Sequence, residues 1–276
     1  MKFNKKLFAT IREVLRPDWA FRRLARHALT KPAVERASFG ECLSDEDRLE
    51  QIVGIMKNAS SRHRGVLLNQ VQYSRSQLMQ DLFVLSELGE RREGGFFVEF
   101  GAANGVALSN SWLMENQFGW KGILAEPAQC WHAALKQNRR CIIETECVWS
   151  KTGEQLDFDE VSIAELSTIS NFSQGDSHAL SRAERRSYQV PTISLNDLLK
   201  KHNAPPSLDY LSIDTEGSEF AILREFDFDR YRFKVITCEH NYTPMREQIY
   251  QLLLTAGYQR KLEKFSRFDD WYVRRQ

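Results

Sequence analysis

No run of this sequence approaches the roughly 18 apolar residues that a membrane-spanning helix requires. The N-terminus is basic but lacks the compact apolar core and small-residue cleavage site of a secretory signal. Cysteine is scarce and unpaired. Cys42, Cys130, Cys141, Cys147 and Cys238 are odd in number, with no Cys-x-x-Cys spacing, which argues against a structural zinc site and for a reducing compartment. Internal repeats and low-complexity tracts are missing too. An excess of positive charge over the folded part is also absent. The overall net charge is +1, yet residues 1–39 hold ten Lys/Arg against Glu13, Asp18 and Glu35, so the remainder carries −6. A general nucleic-acid binder would be basic across its folded surface, so nucleic acid is not an expected partner. The expected setting is cytoplasmic.

What is present begins with that basic arm. Phe3, Leu7, Ile11 and Val14/Leu15 recur at helical spacing between Lys2, Lys5, Lys6 and Arg12, up to Pro17. Residues 1–39 therefore form a basic amphipathic segment, suited to peripheral contact with an anionic inner membrane surface or with a protein, or to packing as a lead-in helix. Residues 40–92 read as a helical cap on a main domain at 93–276. Ser44 with Asp45-Glu46-Asp47 resembles an N-cap, Arg62-His63-Arg64 a break, and a second helix is expected from about Ser76 to Leu88.

After Gly94-Gly95, apolar strands alternate with helices. Strands are expected at Phe96–Phe100, Ile123–Glu126, Cys141–Val148, Leu208–Asp214 and Phe233–Cys238. Residues 159–188 are polar and without clear period, and read as a long loop. Two last extended stretches, 258–264 and 270–274, are spaced to pair as an antiparallel hairpin. The predicted fold is α/β, a doubly wound, mostly parallel, Rossmann-like sheet whose ligands bind at the strand C-terminal edge.

That edge is acidic. Glu99, Glu126, Asp214 and Glu239-His240-Asn241 each follow an apolar strand. Surface position explains any one of them; the set is harder to dismiss. Glu99 leads into Gly101-Ala102-Ala103-Asn104-Gly105, a small-residue turn that permits close approach of a ligand to the backbone, with the N–H groups of a following helix start expected to face it. The spacing is not the Gly-x-Gly-x-x-Gly of dinucleotide enzymes. An anionic side chain beside the turn opposes a pyrophosphate and suits the ammonium of a methionine moiety. Glu126, 27 residues on, is placed to accept from both hydroxyls of a ribose.

Several ordered motifs resemble the FkbM-type S-adenosylmethionine-dependent methyltransferases. They are Gly94–Gly105, Gly119-Trp120-Lys121-Gly122 with Glu126-Pro127, Asp209–Glu219, Cys238–Asn241 and Asp270-Trp271-Tyr272-Val273, and the resemblance covers about 75–275. It implies a class I methyltransferase sheet of seven strands. Glu99, Gly101, Ala102, Asn104 and Gly105 would surround the methionine part, Glu126 and Pro127 the ribose, and Val148 to Ser150 the adenine. It also implies O-methylation, often of sugars or secondary metabolites.

Methylation of an alcohol needs alignment and a base to take its proton. Asp214 is the first candidate, then His240, and His178 in the long loop as a lid residue. A solvated or backbone-satisfied histidine is the plain alternative for both. Asp214, Glu239 and Asn241 also offer oxygen ligands of the kind Mg²⁺ accepts, by analogy with catechol-type enzymes. The expected function is methyl transfer to a hydroxyl of a small-molecule or glycan acceptor. The rivals are a non-catalytic module of the same fold and a nicotinamide-dependent oxidoreductase.

Overall fold

The computed structural model describes residues 44–89, 94–161, 167–172 and 185–275. The basic segment 1–39 and His178 lie outside the described residues. The element order begins with α1 (Asp45–Asn58), α2 (Ser61–Gln70) and α3 (Gln80–Leu88). There follow β1 (Phe96–Phe100), α4 (Trp112–Phe118), β2 (Lys121–Ala125), α5 (His132–Asn138), β3 (Ile142–Glu144) and β4 (Cys147–Trp149). Next come β5 (Gln155–Val161), β6 (Thr168–Ile169), β7 (Arg185–Ser194), α6 (Leu195–Lys201), β8 (Ser207–Ile213) and α7 (Glu219–Arg224). The chain closes with β9 (Arg232–Glu239), α8 (Met245–Thr255), β10 (Tyr258–Lys261), α9 (Glu263–Ser266) and β11 (Asp269–Arg274).

Seven strands form one sheet in the order β10-β11-β9-β8-β1-β2-β3. From β9 to β3 all neighbours are parallel, and β11 runs antiparallel to both β9 and β10, so the sheet is mixed at one edge. Strand order reverses between β1 and β8, which leaves a crevice beyond their carboxyl ends. Side chains alternate along the central strands and sort into two cores. Phe97, Leu124, Tyr210, Val235 and Trp271 join a buried cluster with α1–α3, where Phe83 stacks on Trp271 at 4.8 Å. Val98, Phe100, Ile123, Leu211, Ile213 and Ile236 face the other way, against α6–α8.

Three expectations need correction. The supposed break at 60–64 starts α2, because Ser60 Oγ accepts from the His63 amide at 3.2 Å and caps the helix. The expected strand 141–148 splits at Thr145-Glu146. Its first part, β3, stays in the main sheet, while β4 pairs with β7 in a second sheet of order β4-β7-β5-β6. Within the expected loop 159–188, the described residues 159–161, 168–169 and 185–188 are strand. Asp157 to Val161 continue β5, which pairs antiparallel with β7 over 155–161. The ribbon has a polar face and, among the described residues, buries Phe158, Ile169 and Val190 in a small third core with Leu156 and Tyr188 partly buried against it, so its apolar signal is weak.

Candidate active site

The parallel strands end level with one another. Phe100 is paired with Ala125 and Ile213 with Cys238, so Gly101, Glu126, Asp214 and Glu239 all emerge at one edge. They line a cleft over the switch point. One half is apolar, walled by Pro127, Cys147, Val148, Phe158 and Ile169 beside Glu126. The other half is polar, with Gln80, Asn110, Asp214, Glu216, Glu239 and Asp269 around Phe268.

Gly101 sits at φ +70°, and a Cβ there would stand 2.0 Å from the Asp214 carbonyl oxygen. The turn can therefore press against the end of β8 only without a side chain. Glu126 fastens the turn from the other side. Its Oε2 accepts from the Ala103 amide at 2.8 Å and its Oε1 from the Ala128 amide at 2.9 Å. Burial outweighs these bonds and raises its pKa to about 7. Each oxygen keeps a lone pair for a further donor.

Glu99 is more heavily committed. It accepts from the Asn110 amide (2.7 Å), Ser109 Oγ (3.0 Å) and Ser111 Oγ, and its Oε2 lies 3.9 Å from buried Arg139. Arg139 also bonds Glu115 and the Gly105 carbonyl, so Glu99 anchors the 109–111 segment while lining the cleft. The expectation of free helix-start N–H groups facing a ligand fails here. The Asn110 amide is taken by Glu99, and the Ser111 and Trp112 amides by Ser109 Oγ.

Other cradle residues support the turn from behind. Ala102 is buried in the core, Asn104 Oδ1 accepts from the Val106 and Ala107 amides, and Gly105 packs against Leu135 and Arg139. None of these lines the cleft, nor does Ser150, whereas Val148 and Pro127 do.

On the polar side, Asp214 and Glu239 share a hydrogen bond. Burial raises Asp214 to about 7 and Glu239 well above its ordinary value, so the pair holds a proton near neutrality. Ligand atoms of Asp214, Glu216 and Glu239 lie within 4.8 Å of one another. The third oxygen donor is thus Glu216 instead of the expected Asn241. Asn241 does not line the cleft, and its Nδ2 sits 3.4 Å from Glu216 Oε2.

His240 is also misplaced for the role expected of it. Its Nδ1 accepts from the Tyr242 amide at 3.0 Å. Its Nε2 lies 3.8 Å from Asp270, which is occupied by Arg246 and Arg260, and the ring does not line the cleft. Burial lowers its pKa to about 4, so it is neutral and turned away.

The sequence reading missed Gln80, Asn110, Phe268 and Asp269. Asp269 has a structural reason for being missed. Because β11 is antiparallel, its first residue, not its last, reaches the functional edge, directly opposite Glu239 in the β11–β9 register.

A mostly parallel sheet with this cleft at its switch point defines an α/β fold. The sequence model of the Methyltransferase FkbM domain matches residues 99–260, more than half of the chain. The chain belongs to the FkbM methyltransferase family. Among solved structures it is similar to the methyltransferase FkbM from Methylobacillus flagellatus KT, with 12% identity and a TM-score of 0.45 over 95% of this chain and 60% of that one. It is also similar to the precorrin-6y C5,15-methyltransferase from Geobacter metallireducens GS-15 (11% identity, TM-score 0.37, 71% and 86% covered). A third is the METTL16 MTase domain (10% identity, TM-score 0.37, 83% and 78% covered). The chain spans 60% of the length of the first of these. No curated protein matches it. Among the described residues, no helix is long and apolar enough to cross a membrane.

Proposed function

We propose that this protein is an S-adenosylmethionine-dependent O-methyltransferase acting on a hydroxyl of a sugar-containing or other natural-product acceptor. The observation that carries the reading is Glu126, which opens beside the apolar half of a cleft whose floor is the Gly101 turn. A carboxylate with two spare lone pairs next to an apolar slot fits a ribose and its adenine. The cofactor, when bound, supplies an electrophilic methyl group.

The chain's own residues position and deprotonate. Val148, Phe158 and Ile169 exclude water from the adenine side, and Gly101 and Ala103 of the turn line the methionine side. Asp214 is the general base. It lines the polar half of the cleft, and its pKa of about 7 suits proton transfer near neutral pH. Glu239 takes part in holding that proton through the shared hydrogen bond.

Binding of S-adenosylhomocysteine tests the cofactor assignment by thermal shift, since a ligand of the folded state raises apparent stability by mass action. Wild type should shift, Glu126→Ala should lose most of the shift, and absence of any shift at millimolar ligand would sink the reading. Asp214→Asn should keep the shift and lose roughly 10²–10⁴-fold in turnover. A Mg²⁺ ion on Asp214, Glu216 and Glu239 is the second reading, favoured by their convergence within 4.8 Å. Its signature is turnover abolished by EDTA and restored by Mg²⁺.

A further inference from the structure

The polar half of the cleft holds more carboxyl groups than the proposed chemistry uses. Among the described residues, six carboxylates line the cleft (Glu99, Glu126, Asp214, Glu216, Glu239 and Asp269) and no Lys, Arg or His does. Glu99 has Arg139 beside it and Glu126 has two backbone amides. Asp269 is different. It is 3% exposed, and Oδ2 accepts from Gln80 Nε2 and Trp271 Nε1, both at 3.1 Å, while Oδ1 is buried without any partner. Glu239 Oε2 is likewise buried and unpartnered. These two residues face each other across the β9–β11 pair. Burial holds both carboxyls well above the ordinary range, so the empty cleft favours their protonated forms, and a buried polar atom without a partner costs as much as a lost hydrogen bond. Both unpartnered oxygens belong to residues of one cleft wall, and both require donors.

Resting on the methyltransferase reading, we infer that the acceptor is an amine-bearing polyol whose protonated amino group is held between Asp269 and Glu239, with the methylated hydroxyl directed to Asp214. An ammonium supplies up to three donors and a positive charge from one compact group, which would partner both oxygens and favour their ionised forms. A neutral sugar would partner the oxygens without favouring their ionised forms. A phosphorylated or carboxylated acceptor would be repelled. Phe268, beside Asp269 in the same wall, gives the carbon skeleton an apolar surface.

The test is a binding titration of the S-adenosylhomocysteine-loaded protein with glucosamine, glucose and glucuronic acid, and with Mg²⁺ alone, at fixed ionic strength. Glucosamine should bind at least about tenfold more tightly than glucose, and glucuronic acid should be weakest. Asp269→Asn and Glu239→Gln should each erase the amine preference while retaining the S-adenosylhomocysteine shift, which also reports that the variants fold. Equal binding of glucosamine and glucose overturns the inference. So does a saturable Mg²⁺ response that both variants abolish, because the acids would then be a metal site. A missing S-adenosylhomocysteine shift with the amine preference intact would count against the cofactor reading and not against this one.

Discussion

Substituting three glycines by alanine separates the forces that shape the cradle. Gly65 lies exposed within α2 with nothing within 4 Å of a new Cβ. Gly65→Ala should therefore stabilise the protein by roughly 0.5–1 kcal/mol through helix propensity alone. Gly153 has equal room but sits at φ +84°. Gly153→Ala should cost roughly 1–2 kcal/mol, the backbone penalty of an L-residue in the left-handed region. Gly101 combines φ +70° with a Cβ position 2.0 Å from the Asp214 carbonyl. No flexible side chain can give way there, since the obstacle is the backbone of the central strand. The turn and β8 must part by more than an ångström, adding roughly 1–3 kcal/mol of overpacking to the same backbone penalty. Gly101→Ala should thus lose about 2–5 kcal/mol in denaturant unfolding, and S-adenosylhomocysteine binding should fall even where the protein remains folded. If Gly101→Ala and Gly153→Ala cost the same, the close approach to Asp214 is not a determinant of the cradle.

Three other outcomes are expected. Buried Glu126 and Asp214 have pKa values of about 7, above the ordinary carboxylate range, so the folded state holds protons that the unfolded chain releases. Their contribution is complete below about pH 4 and is lost as pH rises to about 7. Unfolding free energy should therefore fall between about pH 4 and 7, and Glu126→Gln should flatten that fall by roughly 1–3 kcal/mol. Arg139→Met leaves Glu99 and Glu115 without their buried cation and should destabilise by roughly 3–5 kcal/mol, measured by the same unfolding assay. His240→Asn should leave the pH profile of turnover unchanged, because the imidazole is neutral and turned from the cleft. A profile that loses its acidic limb would return His240 to the mechanism.

Much of the architecture was legible because buried strands declare themselves. Phe96–Phe100 and Ile123–Ala125 are apolar on both faces, and their ends could be read as a common edge. The β5–β7 ribbon was not legible, since one face is solvated and, among the described residues, few of its side chains are buried in the third core. The split of 141–148 turns on Glu144, whose carboxylate accepts from the Thr145 and Glu146 amides, a local bond that periodicity does not register. In the site, looking at the ends of strands located Glu99, Glu126, Asp214 and Glu239. The same rule overlooked Asp269, which begins an antiparallel strand, and Gln80, which begins a helix of the cap. It also placed His240 at the edge without indicating that the chain turns there, through Asn241 and Tyr242 at positive φ, and carries the ring away.

The acids of this edge divide by what their oxygens already hold, and stability measurements can make the division visible. Glu99 accepts three hydrogen bonds and faces Arg139, so Glu99→Gln replaces an acceptor by a donor in a network of donors. It should destabilise the unliganded protein by roughly 1–3 kcal/mol. Asp269 has the opposite surroundings. Its Oδ1 is unpartnered and faces other carboxylates, so the amide of Asp269→Asn can turn its N–H₂ toward Glu239 while its oxygen keeps Gln80 and Trp271. That variant should be more stable than wild type by roughly 0.5–2 kcal/mol at pH 8, where the repulsion is greatest, and should gain less at pH 5. A stabilised Asp269→Asn beside a weakened Glu99→Gln would separate an acid kept for a ligand from one kept for the fold. If both variants are destabilised alike, Asp269 is a structural acid, and the wall it shares with Glu239 has no need of a cation.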